Sequence, residues 1–122
     1  MNSNRRQFSR IAYHSPAELI TGKRQDKVVV LDISLKGALL RLPTGSLPAI
    51  PNENCTLHIP LGDTGAIIRM QGTIAHAEGI YIGLACRNLD LDSATHLRRL
   101  LELNLGDSAL LDRELSSLVG EG

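Results

Sequence analysis

The sequence predicts a mainly β protein: a six-stranded antiparallel β-barrel followed by C-terminal α-helices. Three observations predict it. Short apolar, β-branched runs recur between tight polar turns, which is the pattern of strands. Near residue 92 the apolar period changes from that of strands to that of a helix. The chain has 122 residues, 43% hydrophobic and 21% charged, enough for one modest core and close to the globular average. Six short strands in an open sheet would leave edges free to pair with other chains, and closure into a barrel removes them.

Taken in order, residues 1–10 are polar and basic without periodicity, so they are read as a flexible arm. Residues 11–91 are assigned to the barrel and 92–122 to C-terminal helices packed on it. After Pro16, Ala17-Glu18-Leu19-Ile20 starts a short strand, and Thr21–Lys27 forms a polar turn around Gly22. Lys27–Ser34 (KVVVLDIS) is the strongest strand, and Ala38–Leu42 continues beyond a connection at Lys36-Gly37. Residues 43–54 hold three of the five prolines and are expected to form an irregular loop. Strand-like runs follow at 55–61, 66–76 and 79–86, the last two joined by a hairpin at Ala77-Glu78-Gly79. Leu97, Leu100, Leu101 and Leu105 then recur at i, i+3, i+4 and i+8, with Asp92 and Ser93 as candidate N-caps and Gly106 as the stop. A second helix is expected near Asp107, with Leu111, Leu115, Leu118 and Val119 on one face. These leucines suit packing on their own domain better than a dimer seam.

Charge and composition exclude several functions. Thirteen basic residues balance thirteen acidic ones, which argues against a general binder of nucleic acid polymers. Two Tyr, one Phe and no Trp are too few for an aromatic base-stacking platform. The basic residues gather in the first 27 positions and the acidic ones in the last third, so an anion site is expected at the front. Cys55 and Cys86 form no C-x-x-C pair and are read as buried thiols, while His14, His58, His76 and His96 lack metal-ligand spacing, so no metal is expected. No apolar run reaches the ~18–20 residues of a membrane span. Arg5-Arg6 resembles the start of a twin-arginine export signal, but the residues after it are polar, basic and interrupted by Pro16. A cytoplasmic location without membrane insertion is therefore expected.

Two clusters carry the chemistry. The first is Arg5-Arg6-Gln7-Phe8-Ser9-Arg10, with R-x-x-x-R spacing from Arg6 to Arg10. The second is Asp32-Ile33-Ser34-Leu35-Lys36-Gly37, a D-x-S-x-x-G pattern at the end of the best strand. Strict strand alternation puts Asp32 and Ser34 on one face with Val28 and Val30, and sends Val29, Leu31 and Ile33 into the core. Gly37 suits a turn with positive φ or the close approach of a ligand. The planar fork of arginine can hold a phosphate or the O6/N7 edge of guanine. A carboxylate accepts from guanine N1–H and N2–H₂, and a serine hydroxyl serves base or phosphate. No nucleophile–base pair or phosphate loop is recognisable, so an enzyme is not expected.

In this order, with the second cluster closing a strand ahead of further strands, the two motifs resemble the PilZ domain. The resemblance spans the basic arm, the six strands and the C-terminal helix, and the segment HLRRLLELNLG is typical of one bacterial subgroup of stand-alone members. It implies a receptor for cyclic di-GMP whose arm wraps the ligand against the barrel and which signals to an unidentified downstream protein. Arg6 and Arg10 would then take guanine edges and phosphates, Asp32 and Ser34 would bond guanine, and Gly37 would shape the turn. By the same resemblance an arginine at Arg5, just before R-x-x-x-R, goes with two cyclic di-GMP molecules per chain and no other cofactor. His76 falls where some close relatives carry a Trp that stacks on the ligand. The alternative is a PilZ-like protein-interaction adaptor without nucleotide binding, which would have no reason to hold this set of residues.

Overall fold

A computed structural model describes residues 9–43, 49–106 and 113–117 of the chain. Its strands are β1 (Arg10–Thr21), β2 (Arg24–Ser34), β3 (Gly37–Arg41), β4 (Asn54–Pro60), β5 (Ile67–Glu78) and β6 (Tyr81–Leu89), followed by α1 (Leu91–Leu105). Every pairing is antiparallel, and the sheet closes in the order β1-β2-β3-β6-β5-β4. The predicted six-stranded barrel with a C-terminal helix is therefore the fold.

Alternation builds the core. In β4, Cys55, Leu57 and Ile59 point inward while Thr56 and His58 stay half-exposed. Ile68, Met70 and Ile74 of β5 meet them, with Val30, Ile33, Leu40, Ile82 and Leu84 from the neighbouring strands. Helix α1 packs on β5 and β1, and Leu97 and Leu101 are fully buried there. Leu100 and Leu105 lean on the same core, so the leucine stripe of α1 is intramolecular. Residues 113–117 are helical and Leu115 packs on the core as well; Leu111, Leu118 and Val119 lie outside the described residues.

Several element boundaries differ from the sequence reading. β1 begins at Arg10 rather than Ala17, because β2 offers it partners from Arg24 to Ser34. Pro16 is tolerated within it because it lies beyond the last β1–β4 pair, Glu18 with His58. The first turn shrinks to Gly22-Lys23, between the paired Thr21 and Arg24, and the late hairpin turns at Gly79-Ile80 rather than at 77–79. In both, the first turn residue is a glycine, with φ of 59° and 61°, as a two-residue hairpin turn of matching twist requires.

The N-cap of α1 is Asp90, not Asp92 or Ser93. Its carboxylate accepts from the Ser93 N–H at 3.2 Å and from the Ser93 hydroxyl at 2.6 Å. Those bonds, with the hydroxyl bond first in weight, hold the Asp90 carboxyl below the usual carboxylate range. Ser93 is fully buried and its Oγ also accepts the Arg69 N–H of β5 at 2.8 Å, which fastens the helix start to the barrel. Gly106 ends the helix as expected, its N–H bonding the Glu102 carbonyl at 2.8 Å.

Candidate functional site

Two β-bulges decide which residues face outward. In β2, Val30 pairs with Leu40 and Asp32 with Leu39, so Leu31 is an extra residue. Val28, Val30 and Ile33 point into the core, while Leu31 and Asp32 both lie on the outer side and are half-buried. Strict alternation therefore misassigned this strand: Val28 and Val30 do not share the face of Asp32, and Leu31 does not enter the core. In β5, Ile74 pairs with Leu84 and His76 with Gly83, so Ala75 is the extra residue and both Ala75 and His76 are exposed. Bulges re-aim side chains in this way and gather near functional sites.

The six residues of D-x-S-x-x-G divide the labour. Asp32 is the outward acceptor. Ser34 is buried, and its Oγ accepts the Lys36 N–H at 3.1 Å, so the hydroxyl caps the β2–β3 turn instead of facing out beside Asp32. Leu35 plugs the core. Gly37 is absent from the positive-φ residues; its requirement comes from β6. A Cβ there would overlap the Leu84 carbonyl oxygen and stand 3.1 Å from its carbon. Neither positive φ nor ligand approach explains this glycine, because the β6 backbone fills the space. The Lys36 carbonyl accepts the Cys86 N–H at 2.7 Å and extends the β3–β6 seam into the turn.

The other motif meets this surface through strand pairing. Arg10 pairs with Ser34 and Ala12 with Asp32 across β1–β2. The Arg10 Nε lies 3.3 Å from Asp32 Oδ1, with the arginine side chain 61% exposed and the aspartate 20%. The contact is between charges and is not an aligned hydrogen bond, and Oδ1 is a buried acceptor without one. Just before it, Ser9 donates from its N–H and its hydroxyl to the buried Glu114 carboxylate at 3.0 and 2.5 Å. The start of β1 is thus tied to the helical residues 113–117. Arg5 and Arg6 lie outside the described residues.

Register joins these elements into one row across the outer face: Ala12, Asp32, Leu39, Gly83 and His76 sit opposite one another on β1, β2, β3, β6 and β5. Three strand steps of ~4.8 Å put Asp32 and His76 about 14 Å apart along the row. Leu39, half-buried, forms its floor. Leu39 and Gly83 were not singled out in the sequence. The only available signal was a glycine interrupting the apolar run Ile82-Gly83-Leu84, which often marks a close approach.

Among the described residues, clefts lie away from the row. One is lined by Ile20, Asn54, Gln71 and Arg87, another by Pro16, Glu18, His58 and Ile67. Among the described residues of the row, Ala12 and His76 are exposed, Asp32 and Leu39 half-buried and Gly83 buried. Cys55, Gly72 and Cys86 also share a row, which places the two thiols two strand steps, ~10 Å, apart and beyond disulfide reach. Burial, aided by Glu53, pushes the Cys55 thiol up to about 11. Burial raises Cys86 too, against the Asn88 carbonyl and the Lys36 charge. Both are protonated and poorly nucleophilic at neutral pH. Among the described residues no group of three or more His, Cys, Asp or Glu could hold a metal, and no helix is long and apolar enough to cross a membrane.

Two solved structures share this fold. One is the PilZ domain of CeSA from a cellulose-synthesizing bacterium, at 18% identity and a TM-score of 0.62, over 81% of this chain and 99% of that one. The other is the Bacillus subtilis inhibitor of motility MotI/DgrA, at 16% identity and a TM-score of 0.68, over 84% of this chain and 52% of that one. This chain spans about half the length of the motility inhibitor. At such identities the likeness is one of fold. The sequence itself matches the PilZ domain over residues 4–103, most of its length. With a closed six-stranded barrel that brings the start of β1 against Asp32, the chain belongs to the PilZ domain family.

Proposed function

We propose that this PilZ domain is a cyclic di-GMP receptor, which binds the dinucleotide between its N-terminal arginines and the outer row and passes the change to a partner protein. The observation that carries the reading is the contact of Arg10 with Asp32. The arginine of this pair is largely exposed, and an ion pair with one partner at the surface contributes on the order of 1 kcal/mol, so a ligand can take both partners at little cost. Guanine N1–H and N2–H₂ would donate to Asp32, whose Oδ1 already lacks an aligned donor. The Arg10 guanidinium, released from the carboxylate, would turn to phosphate or to the O6/N7 edge, and Arg6 would supply a second fork. His76, at the far end of the row, would stack on a base.

Micromolar affinity needs only about −8 kcal/mol. Ordering six to eight residues costs roughly 1–2 kcal/mol each. Charge-assisted bonds at ~1.5–3 kcal/mol and stacked bases at ~1–3 kcal/mol reach the required total. Arg5 would add a cation and a fork for a second ligand, giving two cyclic di-GMP molecules per chain.

Calorimetry tests the reading. Saturable binding at two ligands per chain is expected, with a shift toward one in Arg5→Leu. Recovery of unaltered cyclic di-GMP after incubation is the expected result for a receptor rather than a phosphodiesterase. A wild-type chain that gives no heat with cyclic di-GMP overturns the receptor reading in favour of a protein-interaction adaptor.

A further inference from the structure

Gly83 lies between Ile82 and Leu84, both of which point into the core, so it belongs to the outer face. It is nevertheless buried. The cover is His76: a Cβ at Gly83 would overlap the imidazole Cε1 and lie 2.5 Å from Nδ1 and 3.0 Å from Nε2. The Nδ1–Cε1–Nε2 side of the ring therefore occupies the space that any other residue at position 83 would fill. His76 itself remains exposed. The side chain is laid over β6 toward β3, along the row that leads to Asp32, instead of standing away from the sheet.

We infer that Gly83 is a positioning residue of the proposed cyclic di-GMP site. By lacking a side chain it seats the His76 imidazole on the sheet and sets the height and direction from which that ring meets a ligand base. The ligand part of this inference rests on the receptor reading; the seat does not.

The three crowded glycines of the barrel separate this role from a purely structural one. At Gly37 and Gly72 an added Cβ would strike the backbone carbonyls of Leu84 and Ala85, which cannot move without opening a strand pair. At Gly83 it would strike only the tip of a rotatable side chain. Gly83→Ala should therefore keep the fold and displace the ring.

The test uses the full chain in two measurements. In the free protein, the Gly83 Hα resonances should carry a ring-current shift that disappears in His76→Ala. Its absence from the wild type overturns the seat, whatever the ligand. In calorimetry with cyclic di-GMP, Gly83→Ala should bind about three- to tenfold more weakly, the low end for one stacked base, with an unchanged melting temperature. Added to His76→Ala, it should cost nothing more. His76→Trp should tighten binding with Gly83 present and fail to do so with Ala at 83. Wild-type affinity in Gly83→Ala, or full additivity of the two losses, overturns the positioning role. A wild type with the ring-current shift but no cyclic di-GMP binding overturns the receptor reading and the ligand role together, and leaves the seat standing.

Discussion

The bulges at Leu31 and Ala75 perform the same operation on two different strands. Each adds one residue and returns the next side chain, Asp32 or His76, to the outer face. Their surroundings differ. Asp32 is flanked by charge, with Arg10 at 3.3 Å, and its neighbours in sequence fix the turn that follows it. His76 has no such local motif and depends on a glycine of another strand for its seat. The surroundings of Asp32 are fixed partly by residues adjacent in sequence, those of His76 by pairing between strands alone.

The largest expected effect lies at the charged end. Asp32→Ala should weaken cyclic di-GMP binding about 10- to 100-fold, the loss of one or two hydrogen bonds involving a charged acceptor. Its circular-dichroism spectrum should stay folded, because Asp32 is half-buried and outside the core. Asp32→Asn, which keeps one acceptor oxygen, should fall between. Normal binding by Asp32→Ala would erase the distinction between the two ends.

This asymmetry also governs what could be read in advance. The six strands, the helix and the leucine face of α1 follow from local periodicity, and both motifs are visible as short patterns. The burial of Ser34 and the true neighbour of Gly37 were not legible, because both depend on what the rest of the fold packs against this turn. A bulge changes the face of every later residue, and nothing in KVVVLDIS marks Leu31 as the extra one. The same holds for Asp90: its role as cap became visible only with Ser93 buried against Arg69.

The second prediction breaks the bridge between the ends. Gly37→Ala places a methyl group against the Leu84 carbonyl, so β3 and β6 must separate locally. A loss of about 1–3 kcal/mol in urea unfolding is expected, as for other overpacked sites. Gly83→Ala, on the same seam, should unfold as the wild type does, because only the His76 ring has to move. Equal losses would show that the His76 ring cannot yield and that the two glycines are equivalent.

A smaller effect sharpens the contrast in electrostatic terms. Raising salt from about 50 to 200 mM shortens the Debye length from ~14 to ~7 Å and should weaken wild-type binding several-fold. His76→Ala should retain that dependence, since stacking is insensitive to screening, whereas Arg10→Ala should show a shallower slope. Identical slopes for the two variants would remove Arg10 from the ionic contacts.

The smallest effect expected is the most discriminating for the motif. Read as a strand, Asp32-Ile33-Ser34 puts both polar residues against the ligand. In the folded chain Ser34 is 3% exposed, although the bulge leaves its alternation with Asp32 unchanged, and its hydroxyl accepts the Lys36 N–H. Ser34→Ala should therefore cost about 0.5–1.5 kcal/mol of stability, the value of one hydrogen bond in the turn. Its affinity for cyclic di-GMP should remain within about threefold of wild type, under 1 kcal/mol by the affinity scale. The Lys36 amide should exchange faster in the variant, because its acceptor is gone. A tenfold loss of affinity with an unchanged Lys36 amide would mean that the hydroxyl turns outward to the ligand, and that the serine belongs with Asp32 after all.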